Sequence, residues 1–449
     1  MFDSIIIGAG LAGLSTATEL SSAGRKVLVL EARNRVGGRV ENVVLSDGHV
    51  VEMGGQWVAW GHDEMRSLIA QEGLSLVEPN PGDMVLRFGG QVTKIHTEQP
   101  AAQDSLTPFE FSDVGQALLR LRRLADRVEE NPTWAQANTR WLSQTFAQWT
   151  TGNLRTDGGR AYFTRLVQRA LGISPEVTTL IDALHQVNRG VDLESFVAAN
   201  GGLRQGRVRG GMAQVTSALA ERLGDAVRLS SPVTSVRHDA DHVVVEVEGG
   251  QIFEGRTVVV TVPPRLLKTI TFDPPLPPER LELAEKVPAG NVIKAFLVYD
   301  HPWWRERGAS GQMSADEGAV RITFDTSDDS DRGILLGFFE GAESSGYGKL
   351  SLTLRQRIFE EAVEKAFGKA PSKPLDYVDR DWLAEKYTAG CHGAHFAPGL
   401  WTASGPVLGQ PLDRVLFAGA EYASTFNGYM EGAVRSAAAT AGTVLEITS

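Results

Sequence analysis

Apolar positions near the start of the chain follow two periods in turn. Ile5, Ile6 and Ile7 form a β-branched run stopped by Gly8, the pattern of a strand buried on both faces. Leu11, Leu14, Ala17 and Leu20 then recur at helical spacing, and Gly24 supplies the stop. A second apolar run over 26–30 ends on Glu31. The order of strand, helix and strand predicts a parallel pair of the α/β kind.

Farther on, the pattern predicts a helix over about 62–72 and a hairpin of 85–90 with 91–95 around Gly89 and Gly90. Residues 109–195 read as mostly helical, the first helix carrying Val114, Leu118, Leu119, Leu121 and Leu124. The texture then changes to a helix over about 212–223 and β-rich runs at 227–229, 233–238, 243–247 and 257–262, with turns at 239–241 and Gly249-Gly250. Pro274, Pro275, Pro277 and Pro278 mark an extended linker. Runs at 291–299, 322–325 and 333–339 look like strands of a second sheet, followed by a helix over 352–367. The acidic run 325–331 is expected to be a solvated loop, a substrate-attracting patch being the alternative. Residues 413–421 read as a strand entering a glycine turn, and 428–433 as the opening of a last helix.

Candidate chemistry sharpens the first unit. Gly8, Gly10 and Gly13 have the G-x-G-x-x-G spacing at the strand-to-helix turn. The first allows the tight turn, the second lets backbone approach a pyrophosphate, and the third lets helix and strand pack closely. The phosphates would meet the positive end of the helix. Glu31 stands about 20 residues beyond, where an acidic side chain accepts ribose hydroxyls. NAD and FAD share this fingerprint.

Composition adds exclusions. A chain of 449 residues with 42% hydrophobic and 22% charged residues is long enough for two domains, each with a core. A formal charge of −11 argues against a nucleic-acid partner and weakly favours cationic ligands. The single Cys391 leaves no internal disulfide and fits a reducing compartment. The first strand begins by residue 4, which leaves no room for a signal peptide, and no apolar run reaches the length of a membrane span. The expectation is a cytoplasmic protein without membrane contact, and no metal site is read from the sequence.

Two more glycine pairs beside arginines, RVGGR at 35–39 and EMGGQW at 52–57, suit a backbone wrapped around a cofactor longer than a nicotinamide one. At the far end stand YTAGC at 387–391, FAPG at 396–399, FAGAE at 417–421 and GYMEG at 428–432. On these motifs the chain resembles the FAD-containing amine oxidase family, of the monoamine oxidase-like, soluble bacterial type. The resemblance covers most of the chain and is weakest across 109–195.

The resemblance implies a Rossmann-type FAD-binding domain, built from 1–75, 200–265 and 390–449, interleaved with an α+β substrate domain from 76–199 and 266–389. It implies FAD contacts from Gly8, Gly10, Gly13, Glu31, Arg33, Gly38, Arg39, Gly55, Gln56, Trp57, Val233, Trp382, Gly419 and Glu421. Met430 would contribute through its backbone N–H at the start of the last helix. Cys391 matches a position that binds FAD covalently in some members, so a thioether or an inert thiol both stay open. Tyr429 matches one wall of an aromatic cage for the amine. The other wall would be His392, where the family has tyrosine or tryptophan, and a titrating ring there can shift substrate choice or pH optimum. Lys294, a lone charge in an apolar run, matches the lysine that holds a water against the flavin and assists reoxidation by oxygen. Gln168, Leu171, Leu203, Ile322 and Phe338 are pocket-wall residues by rough alignment.

The implied function is oxidation of a small amine to an imine, then an aldehyde or ketone, with O2 reduced to hydrogen peroxide. A related flavin dehydrogenase or desaturase using another acceptor, and an FAD-bearing interaction protein without catalysis, stay open. Relatives form homodimers in many cases, so a dimer is a further expectation. Aromatic amines, diamines and cyclic amines all fit as substrate classes.

Overall fold

The computed structural model describes residues 1–58, 62–78, 80, 82–88, 91–95, 108–162, 164, 175–181, 183–184, 206–286, 292–315, 317–328, 332–339, 344–390, 408–423, 426 and 428–449. The opening unit folds as its periodicity predicts: β1 (Phe2–Ile7), α1 (Leu11–Ser22) and β2 (Val27–Leu30), with β1 and β2 paired in parallel. β1 also pairs in parallel with the strand Ile252–Val260, and that strand with Val415–Phe417. Val227–Arg228 on the far side of β2, and Val243–Val247, Val233–His238 and Thr271–Asp273 beyond Ile252–Val260, complete an eight-stranded sheet.

Alternation along these strands creates two cores. Ile6, Val29, Val259 and Leu416 face α1, the helix Ala213–Leu223 and the last helix, Met430–Thr448. Ile5, Ile7, Leu28, Val258 and Phe417 face the opposite way, against Val236, Val245 and Phe253. Gly13 makes the first contact possible. A Cβ there would lie 2.0 Å from the carbonyl oxygen of Gly8, so only glycine lets α1 sit this close to the turn.

A seven-stranded sheet forms the second layer, in the order Asp376–Asp381, Ile293–Tyr299, Gly333–Phe339, Val320–Asp325, Ala309–Ala315, Asp83–Phe88 and Gln91–Ile95. Ile293, Ala295, Leu297 and Tyr299 pack with the helix Leu352–Phe367 through Phe359, Val363 and Phe367. The other face carries Phe296, Val298, Ile334 and Leu336, which meet Val51, Met53, Trp57 and Trp382. Lys294 shares that second face by the two-residue period. The helices Pro108–Glu130, Pro132–Ala137, Thr139–Leu142 and Phe146–Asn153 bear out the helical reading of that stretch as far as it is described.

Several details differ from the sequence reading. The strand at 257–262 begins earlier, at Ile252, because pairing with Val243–Val247 recruits its polar first half. The first sheet also runs past residue 265: Thr271–Asp273 pairs with Val233–His238 before the proline-rich stretch. The acidic run is not solvated at its start. Asp325 is buried, accepting bonds from Trp304 Nε1 (2.9 Å) and Arg305 Nε (2.7 Å). Thr326 and Ser327 are buried beside it, because the run is the end of a central strand. In the second sheet two strands went unforeseen, Ala309–Ala315 and Asp376–Asp381; their small or acidic residues have little strand propensity, and the first is held between two neighbours while the second pairs at the sheet edge with Ile293–Tyr299. Among the described residues, no helix is long and apolar enough to cross a membrane.

The close approach at Gly13 gives a first test. Gly13→Ala should destabilise the protein by roughly 1–3 kcal/mol in urea denaturation, the usual cost of forcing a methyl into a packed contact. Gly152→Ala, at an exposed position of the helix Phe146–Asn153 with nothing within 4 Å of its added Cβ, should instead be neutral or stabilising by up to about 1 kcal/mol.

Candidate functional site

A cavity of about 390 Å³ opens beyond the C-terminal ends of β1, β2 and the strand Ile252–Val260. Its walls come from Gly8, Gly10, Glu31, Arg33, Gly38 and Arg39 on one side and from Gly55, Gln56, Trp57, Lys294, Phe338, Tyr429 and Met430 on the other. Such crevices at strand ends are where open α/β sheets bind ligands. The first two glycine segments lie side by side, with Gly37 N–H donating to the Ala9 carbonyl at 2.8 Å. Gly8 and Gly38 have φ of +110° and +57°, which glycine adopts without strain. A Cβ on Gly10 would meet Gly38 Cα at 3.9 Å and the Gly37 carbonyl oxygen at 4.0 Å, both ordinary contacts, and Gly10 itself caps α1 without a side chain. The first N–H groups of that helix therefore have no intrahelical acceptor and stand at the cavity wall, a setting for phosphate.

Glu31 is buried at the end of β2. Its carboxylate accepts the N–H of Ala9 at 2.7 Å and of Arg33 at 2.8 Å, one on each oxygen. Each oxygen keeps a second lone-pair site for a hydroxyl. Val233 and Pro232 line the cavity beside it. The Arg33 guanidinium turns away to Thr388 Oγ1 (2.5 Å) and Glu385 (3.5 Å), and stands 5.5 Å from the Tyr387 ring centroid. Lys386, Tyr387 and Thr388 join the lining, so the YTAGC segment reaches the nucleotide end of the cavity.

At the other end, Lys294 is buried with 3% of its surface exposed. Its Nζ donates to the Gly54 carbonyl at 2.7 Å and to Gln56 Oε1. Burial pushes the nearby Glu52 carboxyl up, while Lys294, the Met212 N–H and Arg207 pull it down. Two donors in this wall, Gln56 Nε2 and Trp57 Nε1, are buried and have no hydrogen-bond partner among the described residues. Buried donors demand acceptors. A flat heteroaromatic ring bearing carbonyl oxygens and ring nitrogens supplies them, and the glycine cradle and Glu31 suit the dinucleotide attached to it, so these residues fit FAD.

Not every expected residue lines the cavity. Trp382 is fully buried behind Trp57 and Phe338, its Nε1 on the Met53 carbonyl at 2.8 Å, and Ile322 belongs to the same cluster. Gly13 acts through packing. Glu421 grips Arg39 in a two-pronged pair, 2.7 and 2.8 Å, and Arg39 in turn lines the wall. Gly419 lines it directly. Gln168, Leu171, Leu203, Cys391 and His392 lie outside the described residues.

Tyr429 is the N-cap of the last helix, and the Met430 side chain comes within 3.1 Å of a Cβ placed on Gly55. Behind them, Glu431 is buried and accepts the N–H groups of Met65 (2.8 Å) and Glu64 (3.3 Å), so it caps the helix Asp63–Gln71. His62, just before that helix, is buried beside the Tyr429 ring, centroids 6.0 Å apart. Burial, with Arg66 and Arg435 nearby, pulls its pKa down to about 4. Sequence reasoning passed over His62, since one histidine before a helix carries no signal.

Comparison with known proteins agrees with this geometry. The sequence model of the family described as "Flavin containing amine oxidoreductase" matches residues 11–445. The chain is 30% identical over 451 residues to "Amine oxidase [flavin-containing] A" of Canis lupus familiaris, covering 99% of this chain and 85% of that one. Among solved structures it resembles a putrescine oxidase bound to putrescine, with a TM-score of 0.92, 28% identity and 99% of both chains covered. It also resembles the cyclohexylamine oxidase of Brevibacterium oxydans IH-35A, with a TM-score of 0.91, 29% identity and 99% of both chains covered.

His62 yields a prediction about acid stability. Its pKa is about 4 when folded against 6.5 for the free side chain, so the unfolded chain takes up the proton first as the pH falls. Stability from the neutral ring is complete above pH 6.5 and is lost as the pH falls through that window to about 4. Between those limits wild type should lose on the order of 3 kcal/mol more stability than His62→Phe, measured by denaturant unfolding at each pH.

Proposed function

The chain belongs to the flavin-containing amine oxidoreductase family, its cofactor is FAD, and from that premise we propose that it oxidises small amines to imines with O2 as the electron acceptor. The observation that carries the proposal is the buried Lys294 ammonium, held on Gly54 and Gln56 in the same cavity as the nucleotide cradle and the Tyr429 ring. FAD, when bound, supplies the hydride acceptor and passes the two electrons, with two protons, to O2 as hydrogen peroxide.

The chain's own groups do the rest. Glu31, Gly10 and the start of α1 hold the nucleotide end. Gln56 Nε2 and Trp57 Nε1, buried without acceptors among the described residues, would donate to polar edges of the ring. Tyr429, Trp57 and Phe338 present apolar surface that displaces water and presses a neutral amine against the cofactor, its α-carbon toward the reacting face. The amine loses its α-hydrogen with the bonding electron pair, and its nitrogen lone pair closes the C=N bond. Water then cleaves the imine to an aldehyde or ketone, releasing the nitrogen as ammonia or an amine. The N-terminus of the last helix, at Met430, favours the negative charge that reduction places on the cofactor. Lys294 positions water and eases the reduction of O2, a step separate from amine oxidation.

Oxygen uptake and peroxide release, measured together on the purified protein with putrescine, cyclohexylamine and benzylamine, test the proposal. It expects one peroxide per amine consumed with at least one of them. Turnover with an artificial dye and no peroxide would replace O2 by another acceptor. Lys294→Met should leave anaerobic reduction of the flavin by amine within about threefold of wild type and slow reoxidation by air by roughly 10²-fold or more, the scale of removing one placed electrostatic group. Stopped-flow absorbance separates the two half-reactions.

A further inference from the structure

We propose that His62 is a positioning residue for the amine: by edge contact with Phe426 and Tyr429 it sets the pitch of the Tyr429 ring and so which amines seat against it. This rests on the reading of Tyr429 as an amine-facing wall. His62 itself does not line the cavity, whereas Tyr429 does, so its influence passes through the tyrosine.

The placement of the three rings is over-determined. His62 meets Phe426 edge to face, centroids 5.1 Å apart at 88°, and Tyr429 at 6.0 Å and 59°. Phe426 has φ +51°, a left-handed conformation that costs a bulky residue energy and persists only when its surroundings enforce it. Its carbonyl accepts the Tyr429 N–H at 3.0 Å, and a Cβ on Gly432 would lie 2.2 Å from that oxygen, so only glycine leaves room. Independently of the rings, Glu431 ties the last helix to the N–H groups just after His62. Arg435 closes the cluster, with Nε on Glu431 at 2.6 Å and its guanidinium 5.5 Å from the Phe426 centroid.

Charge explains why a neutral ring suits the position. Arg66 on the same helix and Arg435 on the last helix flank His62, and the Glu431 carboxylate is engaged by Arg435 and two backbone N–H groups. An uncharged imidazole offers edge and face to Tyr429 without adding a third cation. Strain at Phe426, the carboxylate clamp and the His62 ring together hold Tyr429 at one angle. A change at His62 therefore reaches the substrate while the nucleotide end of the cavity is untouched.

The probe is tert-butylamine, which has no hydrogen on its α-carbon and cannot be oxidised; its binding to the FAD-loaded protein is read from the flavin difference spectrum. His62→Leu keeps the volume and removes the ring, and it should bind the probe roughly three- to tenfold more weakly, the range carried by one aromatic edge contact. His62→Phe restores the ring and should lie within about twofold of wild type, with the limiting rate of flavin reduction by an oxidisable amine moving less than the binding constant in both variants. Wild-type binding in His62→Leu, or equal weakness in both variants, would overturn the inference alone. Loss of flavin from both would overturn it too, by making His62 a support for the fold. A wild-type protein that binds no amine would overturn the functional reading with it.

Discussion

The site exists because three polar contacts, each made by a buried charged side chain, close stretches of chain that lie far apart in sequence. Arg39 and Glu421, 382 positions apart, form a two-pronged pair at 2.7 and 2.8 Å that joins the second glycine segment to the turn before the last helix. Charge-assisted forks of this kind are both strong and directional. Lys294 does the same between the second sheet and the loop at Gly54 and Gln56. Glu431 does it between the last helix and the helix Asp63–Gln71. Each contact sits at or just behind the cavity wall, so the groups that assemble the fold also shape the site.

Lys294 shows how the two roles combine. Its strand is apolar on both faces, and an ammonium there is costly to desolvate unless acceptors meet it. The two-residue period puts it on the face with Phe296 and Val298, directed at the nucleotide-binding layer rather than at the helix Leu352–Phe367. A carbonyl and an amide oxygen await it. That makes the lysine a fixed charge, and fixed charges in a low-dielectric cavity act on electrons arriving nearby more strongly than charges in bulk water.

Much of this was legible in the chain. The β1–α1–β2 unit, the hairpin, the last helix and the three glycine segments announce themselves by local period and by residues whose backbone needs have few solutions. Lys294 stood out because it interrupts an apolar run. What stayed hidden depends on partners remote in sequence. Ala309–Ala315 is a strand only because Asp83–Phe88 and Val320–Asp325 flank it. Asp325 looks like part of a solvated acidic run until Trp304 and Arg305 bury it. His62 acquires meaning from Phe426 and Tyr429, more than 350 positions away, and no window on the sequence contains that contact. Glu421, read in the sequence as a cofactor contact, also holds the arginine that lines the wall, a pairing across 382 positions.

The most direct test of the account is anaerobic mixing of the FAD-loaded protein with primary, secondary and diamine substrates while the oxidised-flavin absorbance is followed. The account predicts that at least one class bleaches the flavin and that air restores the colour. A flavin that dithionite reduces but no amine does would contradict it.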